Sequence, residues 1–331
     1  MSVLLVGGSG FIGSELARQL SRQGRAFVIA DKVPSRVFPD RYAHLDITDP
    51  DAPASDVPRD CTAIVHLAAE HRDDVRPRSR YDEVNVEGTR NVVAMAQRHG
   101  IDRIVFTSTV AVYGFADPET GEAGTINPFN DYGRTKFEAE RILRAWQARA
   151  PGSRALTVVR PTVVFGPGNR GNVFNLLRQI ARRRFVMIGD GQNRKSMAYV
   201  GNIAAFLDKA LEFGPGSHLF NYVDKPDYDM NSLVRRARST LHGKNDVGPR
   251  LSAGTGLALG RVADVIAGLS GRSLPISTIR VRKFIAETSF ASAAHDVPGF
   301  TAPVALDTAL ERTLDAEFLN PDPDRVVHYT E

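Results

Sequence analysis

At 331 residues the chain exceeds an ordinary single domain, so one large domain joined to a smaller one is the expected organisation. Its 42% hydrophobic and 24% charged residues are those of a globular protein, and a single cysteine, Cys61, excludes an internal disulfide framework and fits a reducing cytoplasm. The net charge of +4 suits a phosphate-bearing small ligand, but the arginines are scattered without interleaved aromatics, which argues against a nucleic-acid partner.

Met1 runs straight into the apolar run Val3-Leu4-Leu5-Val6 with no basic stretch or cleavage site, so no signal peptide is expected. The run reads as a strand, and Gly7-Gly8-Ser9-Gly10-Phe11-Ile12-Gly13 follows it directly and opens a helix over 13–22. Small residues in that order let backbone approach a pyrophosphate whose charge the helix N-terminus welcomes. The next strand, over 26–30, ends at Asp31, where a carboxylate can accept hydrogen bonds from both ribose hydroxyls of an adenosine. A 2′-phosphate about 4 Å away would be repelled by on the order of 4 kcal/mol per unit charge at an effective dielectric near 20. NAD is therefore expected over NADP, with Lys32 and Arg36 close enough to blunt the preference.

Further short apolar runs over 63–67, 104–107 and 156–159 alternate with helical periodicity over 86–99 and 131–148. That alternation predicts an α/β fold, a Rossmann-like doubly wound parallel sheet. Within the last helix, Tyr132 and Lys136 lie four residues apart and share a face. Bringing a phenol from its ordinary pKa of about 10 to near 7 takes roughly 4 kcal/mol. A fixed lysine and a cationic nicotinamide ring are the obvious sources.

Beyond Pro161 the order loosens, punctuated by Gly166-Pro167-Gly168 and Gly189-Asp190-Gly191, and a smaller mixed substrate-binding domain is expected there. The expected division is 1–165 with about 196–222 for the cofactor, and about 166–195 with 223–331 for the substrate. The apolar stretch from Gly256 to Leu269 carries Arg261 and Asp264, is too short to span a bilayer and reads as a packed helix, so no membrane insertion is expected. No His, Cys and acid cluster with metal spacing and no nucleophile elbow occurs, so no metal is expected.

With these pieces in order the chain resembles the extended short-chain dehydrogenase/reductase family, in particular its NAD-dependent sugar-nucleotide epimerases and dehydratases. The landmarks are the 7–13 loop, Asp31, Asp46-Ile47, His66-Leu67-Ala68-Ala69, Asn85-Val86-Glu87-Gly88-Thr89, the run from Thr107 to Gly114, and Tyr132-x-x-x-Lys136. The resemblance implies that Gly7, Gly10, Phe11, Ile12, Gly13 and Asp31 hold NAD. It implies that Asp46 and Ile47 flank the adenine, that Leu67, Ala68, Ala69 and Thr107 lie along the cofactor, and that Asn85 braces strand and helix. Thr109 falls at the family's catalytic serine or threonine, with Ser108 beside it, and both would reach the sugar. Tyr132 would be the acid–base and Lys136 its partner, and both would also contact the cofactor. The loop His71-Arg72-Asp73-Asp74 would cover cofactor or substrate.

In the second half the resemblance implies that Asn172 contacts a diphosphate, that Arg194 or Lys195 replaces the family's arginine there, and that Arg280 or Arg282 adds a positive charge. The chain departs from the family pattern at Val163, Phe165 and Asn202, which leaves nucleobase and sugar open. Dehydratases of the family carry an Asp-Glu pair after the catalytic threonine, whereas this chain has Val110 and Ala111, which cannot move a proton. Members that epimerise through enolates use a cysteine near this motif, and Cys61 does not match it.

What remains is oxidation and reduction at one carbon. Asp31 favours an epimerase that retains NAD and acts at C4 of a nucleoside-diphosphate sugar. A 4-keto-sugar-nucleotide reductase using NAD(P)H is the alternative, and a catalytically silent NAD-binding sensor is the alternative of another class. The resemblance also implies a cytoplasmic homodimer joined through the helices over 86–99 and 131–148.

Overall fold

Strand β1 (Ser2–Val6) is buried along its whole length, as its uninterrupted apolar sequence requires of a central parallel strand. In the computed structural model, which describes residues 2–50, 58, 60–72, 75–270 and 277–330, it pairs in parallel with β2 (Ala26–Asp31) and β4 (Cys61–His66). Helix α1 (Phe11–Arg22) links β1 to β2, and β3 (Tyr42–His44) extends that edge. After β4 come the short α2 (Ser79–Tyr81), a π-helical stretch over 82–87 and α3 (Gly88–Arg98), which leads to β5 (Arg103–Thr107). Helix α4 (Asp131–Ala148) then connects to β6 (Ala155–Pro161).

The large sheet has seven strands ordered β3, β2, β1, β4, β5, β6, β10, its last member being Gly216–Tyr222. Alternate residues of β1 feed its two faces. Val3 and Leu5 pack beneath Leu16 and Leu20 of α1, together with Ile203 and Phe206 of α6 (Val200–Ala210). Leu4 and Val6 pack beneath Val92 and Met95 of α3 and Leu143 and Trp146 of α4. Each such buried aliphatic side chain is worth about 1.5–3 kcal/mol. The chain reverses direction across the sheet between β1 and β4, and at such a switch point the strand ends leave a crevice.

The second half is built on a small sheet of β7 (Val163–Phe165), β9 (Arg194–Tyr199) and β11 (Asp224–Asp229). It is covered by α5 (Asn172–Ala181), α7 (Met230–His242) and α10 (Leu306–Leu314), whose apolar faces share one core. A two-stranded pair, β8 (Met187–Ile188) and β12 (Arg250–Leu251), carries α8 (Ala253–Ser270) and α9 (Thr278–Ile285).

Helix α8 differs from its sequence expectation. One face is packed: a Cβ on Gly256 would lie 2.4 Å from Ile188 Cγ2, and one on Gly260 2.9 Å from Thr278 N. Its aliphatic residues Leu259, Val262, Val265 and Ile266 are exposed instead. The glycines, not the large side chains, face the neighbour because the backbones approach so closely.

Candidate active site

The crevice is a cleft of about 630 Å³ running from the end of β2 to the small sheet. Gly7, with φ +77°, sits against the turn after β4, where a Cβ would lie 2.3 Å from Ala68 N, so only glycine lets the loop nest there. Helix α1 begins at Gly10 with no side-chain cap and no acid in its first turn, which leaves its N–H groups and positive dipole end for an anion. Phe11, Ile12 and Gly13 complete that wall.

Asp31 closes the far end. Its Oδ2 accepts from Ser9 N and its Oδ1 from Val33 N, each at 3.0 Å. Burial raises its pKa, against the pull of those N–H groups and of Lys32. Asp46 and Ile47 line the same end, while Leu67, Ala68, Ala69 and Thr107 form the floor. The acceptor at the β2 end, the uncapped helix and the glycine cradle fit a dinucleotide.

Asn85 is buried beside the cleft without lining it. Its amide donates to Glu70 O and Thr135 Oγ1, each at 2.9 Å, and accepts from Glu70 N at 2.8 Å, tying the loop after β4 to α4. His71 lines the cleft, and Asp73 and Asp74 of the same loop lie outside the described residues.

Helix α4 starts where Asn130 Oδ1 accepts from Gly133 N at 2.9 Å. Gly133 lets the helix press on the turn after β5, since a Cβ there would lie 2.5 Å from Ala111 O. That contact brings Tyr132 to Thr109. Thr109 Oγ1 accepts from Ala111 N at 3.1 Å, so its proton is left to donate, and it lies near enough to the Tyr132 hydroxyl to favour the phenolate. Burial pushes the phenol up to about 12, with Thr109 opposing.

Lys136 is buried one turn further on, its Nζ 4.0 Å from the centre of the Phe106 ring, and burial pushes its pKa down to about 7 despite Glu140. The lysine alone therefore does not bring Tyr132 into the neutral range in the cofactor-free protein. Burial outweighs it. The same burial, with repulsion from Lys136, holds the His66 imidazole neutral down to about pH 3.

These two shifts give a signed prediction for protein stripped of cofactor. Both folded pKa values lie below their ordinary ones, 6.5 for histidine and 10.5 for lysine, so the unfolded chain binds more protons in each window. Thermal melts should show stability rising with pH as His66 ceases to titrate in the unfolded chain below about 6.5. A second rise is expected between about 7 and 10 from Lys136. A melting temperature that fell with pH over these windows would overturn the assignment.

The substrate end departs from expectation in four places. Ser108 lines the wall, but its hydroxyl donates to the buried Glu140 carboxylate at 2.5 Å, which gives it a structural task. Arg194 and Arg282 are exposed outside the cleft. Lys195 donates to Lys283 O and Ala286 O, fastening the end of α9, and burial lowers its pKa to about 8. Asn172 alone of the substrate candidates beyond β6 lines the cleft, at the start of α5.

The remaining wall includes residues the sequence did not single out: Asn169, Thr288, Phe290, Phe129 and Thr330. Asn169 had a local signal, sitting directly after the Gly-Pro-Gly turn. Its Oδ1 accepts from Gly171 N and Thr330 Oγ1. The others come from separate segments that only folding assembles.

The sequence profile of the NAD dependent epimerase/dehydratase family matches residues 3–239. The chain belongs to this family. NAD is accordingly its cofactor. Over 331 residues the chain is 42% identical to the N-acetyl-alpha-D-glucosaminyl-diphospho-ditrans,octacis-undecaprenol 4-epimerase of Escherichia coli O157:H7, covering 100% of this chain and 99% of that one. It is 28% identical to the UDP-glucose 4-epimerase of Vibrio cholerae over 72% of this chain and 76% of the other. Among solved structures, MoeE5 in complex with UDP-glucose and NAD superposes with a TM-score of 0.70 at 25% identity, covering 95% of this chain and 98% of that one. The UDP-glucose 4-epimerase of Thermotoga maritima shares the fold with a TM-score of 0.74 at 21% identity, over 95% and 98% of the two chains.

Asp31 is the carboxylate acceptor at the β2 end of this wall, and a preference for NAD over NADP is expected to depend on it. Asp31→Ala is expected to weaken NAD binding at least tenfold and to narrow its advantage over NADP, measured by calorimetric titration of both. An unchanged ratio would remove Asp31 from cofactor selection.

Proposed function

We propose that the protein is an NAD-dependent 4-epimerase of a sugar carried on a diphosphate. The observation that carries this reading is the contact of Thr109 with Tyr132, one helical turn from Lys136, in a wall where Val110 and Ala111 supply no second acid. Bound NAD supplies the chemistry of accepting a hydride from C4 and returning it. Tyr132, as phenolate, takes the C4 hydroxyl proton as the carbon is oxidised and gives it back to the ketone oxygen on reduction. Thr109 donates to the phenolate or sugar oxygen, and Lys136 supplies positive charge in a water-poor pocket. Because one tyrosine serves both directions, the proton balance closes over a cycle and no outside reductant is consumed.

Both nucleosides and polyprenols carry sugars through diphosphate. The full-length relative acts on a polyprenyl-linked sugar, and the cleft supports that carrier here. Among its described lining residues the cationic side chains are Lys32 and Lys136, both on the cofactor side, a feature that bears equally on the two carriers because each presents the same diphosphate. The chain's departure at Val163 places an exposed aliphatic residue in the substrate wall. A nucleoside-diphosphate sugar is the second reading, favoured by the wider set of relatives and fold neighbours.

Purified protein with no added cofactor should interconvert a polyprenyl-diphosphate N-acetylhexosamine in detergent with its C4 epimer, and should act more slowly on the matching nucleotide sugar. NADH-dependent reduction of a 4-keto sugar without epimerisation would replace this reading with the reductase. The same reading places the protein in the cytoplasm as a homodimer joined through α3 and α4. Sedimentation at monomer mass at micromolar concentration would refute the dimer.

A further inference from the structure

We propose that the exposed face of α8, with the tip of α9, is a docking surface for an anionic lipid bilayer that delivers the cleft mouth to a membrane-borne substrate. The proposal rests on the polyprenyl reading. In such a substrate the diphosphate alone separates sugar from lipid, so an enzyme acting on it must bring its mouth to the bilayer surface. Among the described residues no helix is long and apolar enough to cross a membrane, which leaves approach from outside.

The surface has the composition that approach requires. Leu259, Val262, Val265 and Ile266 of α8, with Ile279 of α9, are between 48% and 62% exposed. At 3.6 residues per turn the four α8 residues occupy about 120° of arc. Singly exposed aliphatics are ordinary, but a continuous stripe is not. Gly256 and Gly260 on the opposite face lock α8 onto Ile188 and Thr278, so the apolar stripe is held outward by tight backbone packing.

Charge complements the stripe. Among the described residues from 253 to 287, the cations are Arg261, Arg280, Arg282 and Lys283, against the acids Asp264 and Glu287. Asp264 is engaged with Thr278 N. An exposed apolar stripe with basic residues beside it on the adjoining α9 suits the headgroup plane of anionic membranes.

The surface is continuous with the cleft. Asn193 donates to Phe284 O and Ala286 O, and Lys195 also holds Ala286 O, so the end of α9 is anchored to β9. Three residues past α9, Thr288 lines the cleft and exchanges backbone hydrogen bonds with Arg194 and Ser196. Lys283 Nζ lies 5.4 Å from the centre of the Phe129 ring, which also lines the cleft and stacks on exposed Phe115 at 4.8 Å. A bilayer against α8 and α9 thus lies beside an aromatic rim at the mouth.

Flotation with phosphatidylcholine vesicles, with and without phosphatidylglycerol, tests this. Wild-type protein should float with the anionic vesicles, less with neutral ones, and release as salt rises. The triple variant Leu259→Glu/Val262→Glu/Val265→Glu should lose vesicle binding at least tenfold and slow on polyprenyl-diphosphate sugar embedded in vesicles. Its turnover of the same sugar in detergent should match wild type, and Val265→Glu alone should show a smaller loss should the triple variant fold poorly. Arg261→Ser should weaken only the anionic-lipid component. Wild type that stays unbound, or glutamate variants that bind as wild type does, would overturn the docking surface. So would loss of lipid-free self-association in the variants, which would make the face an interface between copies. Failure of wild type to epimerise the detergent-dispersed sugar would instead refute the substrate reading, whatever flotation shows.

Discussion

Tyr132→Phe is expected to lower turnover by roughly 10²–10⁴-fold, the usual worth of a positioned acid–base group, while NAD stays bound. The hydroxyl is the part of Tyr132 that touches Thr109, and phenylalanine keeps the ring in the wall. The 7–13 loop and Asp31, which would hold most of the cofactor, lie elsewhere in the cleft, so NAD stoichiometry measured after denaturation should not change. Thr109→Ala removes the donor but leaves the phenol, so it should cost less than Tyr132→Phe. A sensor without chemistry would respond to ligand equally well as Tyr132→Phe, and full turnover in that variant would sink the assignment. Because the base form is the working one, the rate of the oxidative half-reaction should also rise with pH until the phenol is ionised.

How much of this site could be read in the sequence depended on whether the determining interaction was local. The glycine loop, Asp31 and the buried run of β1 were legible because each is fixed by neighbours a few residues away and by a central strand's need for continuous apolar sequence. Asn85 was singled out by resemblance, and its amide ties the loop after β4 to α4. Lys195 was not: its ammonium is claimed by carbonyls 88 and 91 residues later, a choice made by how α9 docks. The partner of Ser108 was illegible for the same reason, Glu140 lying 32 residues on. In α8 the composition suggested burial, but the position of Gly256 and Gly260 decides which face is packed, and that follows from the third dimension.

Glu140 is where the largest effect on stability is expected. Its carboxylate is fully buried and receives two hydrogen bonds from Arg160, at 2.8 and 2.6 Å, as well as that from Ser108. Arg160 in turn donates to Tyr113 Oη at 2.7 Å, and Tyr113 to Asn221 Oδ1 at 2.8 Å. The network joins α4, β6, β10 and the turn that holds Thr109. Removing one partner of a buried pair leaves the other charge without compensation, which costs about 3–5 kcal/mol. Glu140→Ala should therefore lower the melting temperature by roughly 6–10 °C, at about 2 °C per kcal/mol for a chain this long. The pair as a whole stabilises far less than that loss suggests, because desolvation opposes its attraction. Glu140→Leu/Arg160→Met should accordingly recover more than half of the deficit, and a double-mutant cycle should show strong coupling. Glu140→Gln separates charge from shape: it retains an acceptor for Ser108 but withdraws the anion that opposes the burial of Lys136. Lys136 should then lose its proton at lower pH, and because the relay uses the charged lysine, the alkaline limb of the turnover profile should move down. A Gln variant with an unmoved alkaline limb would confine Glu140 to folding, and an Ala variant that melts with wild type would remove even that.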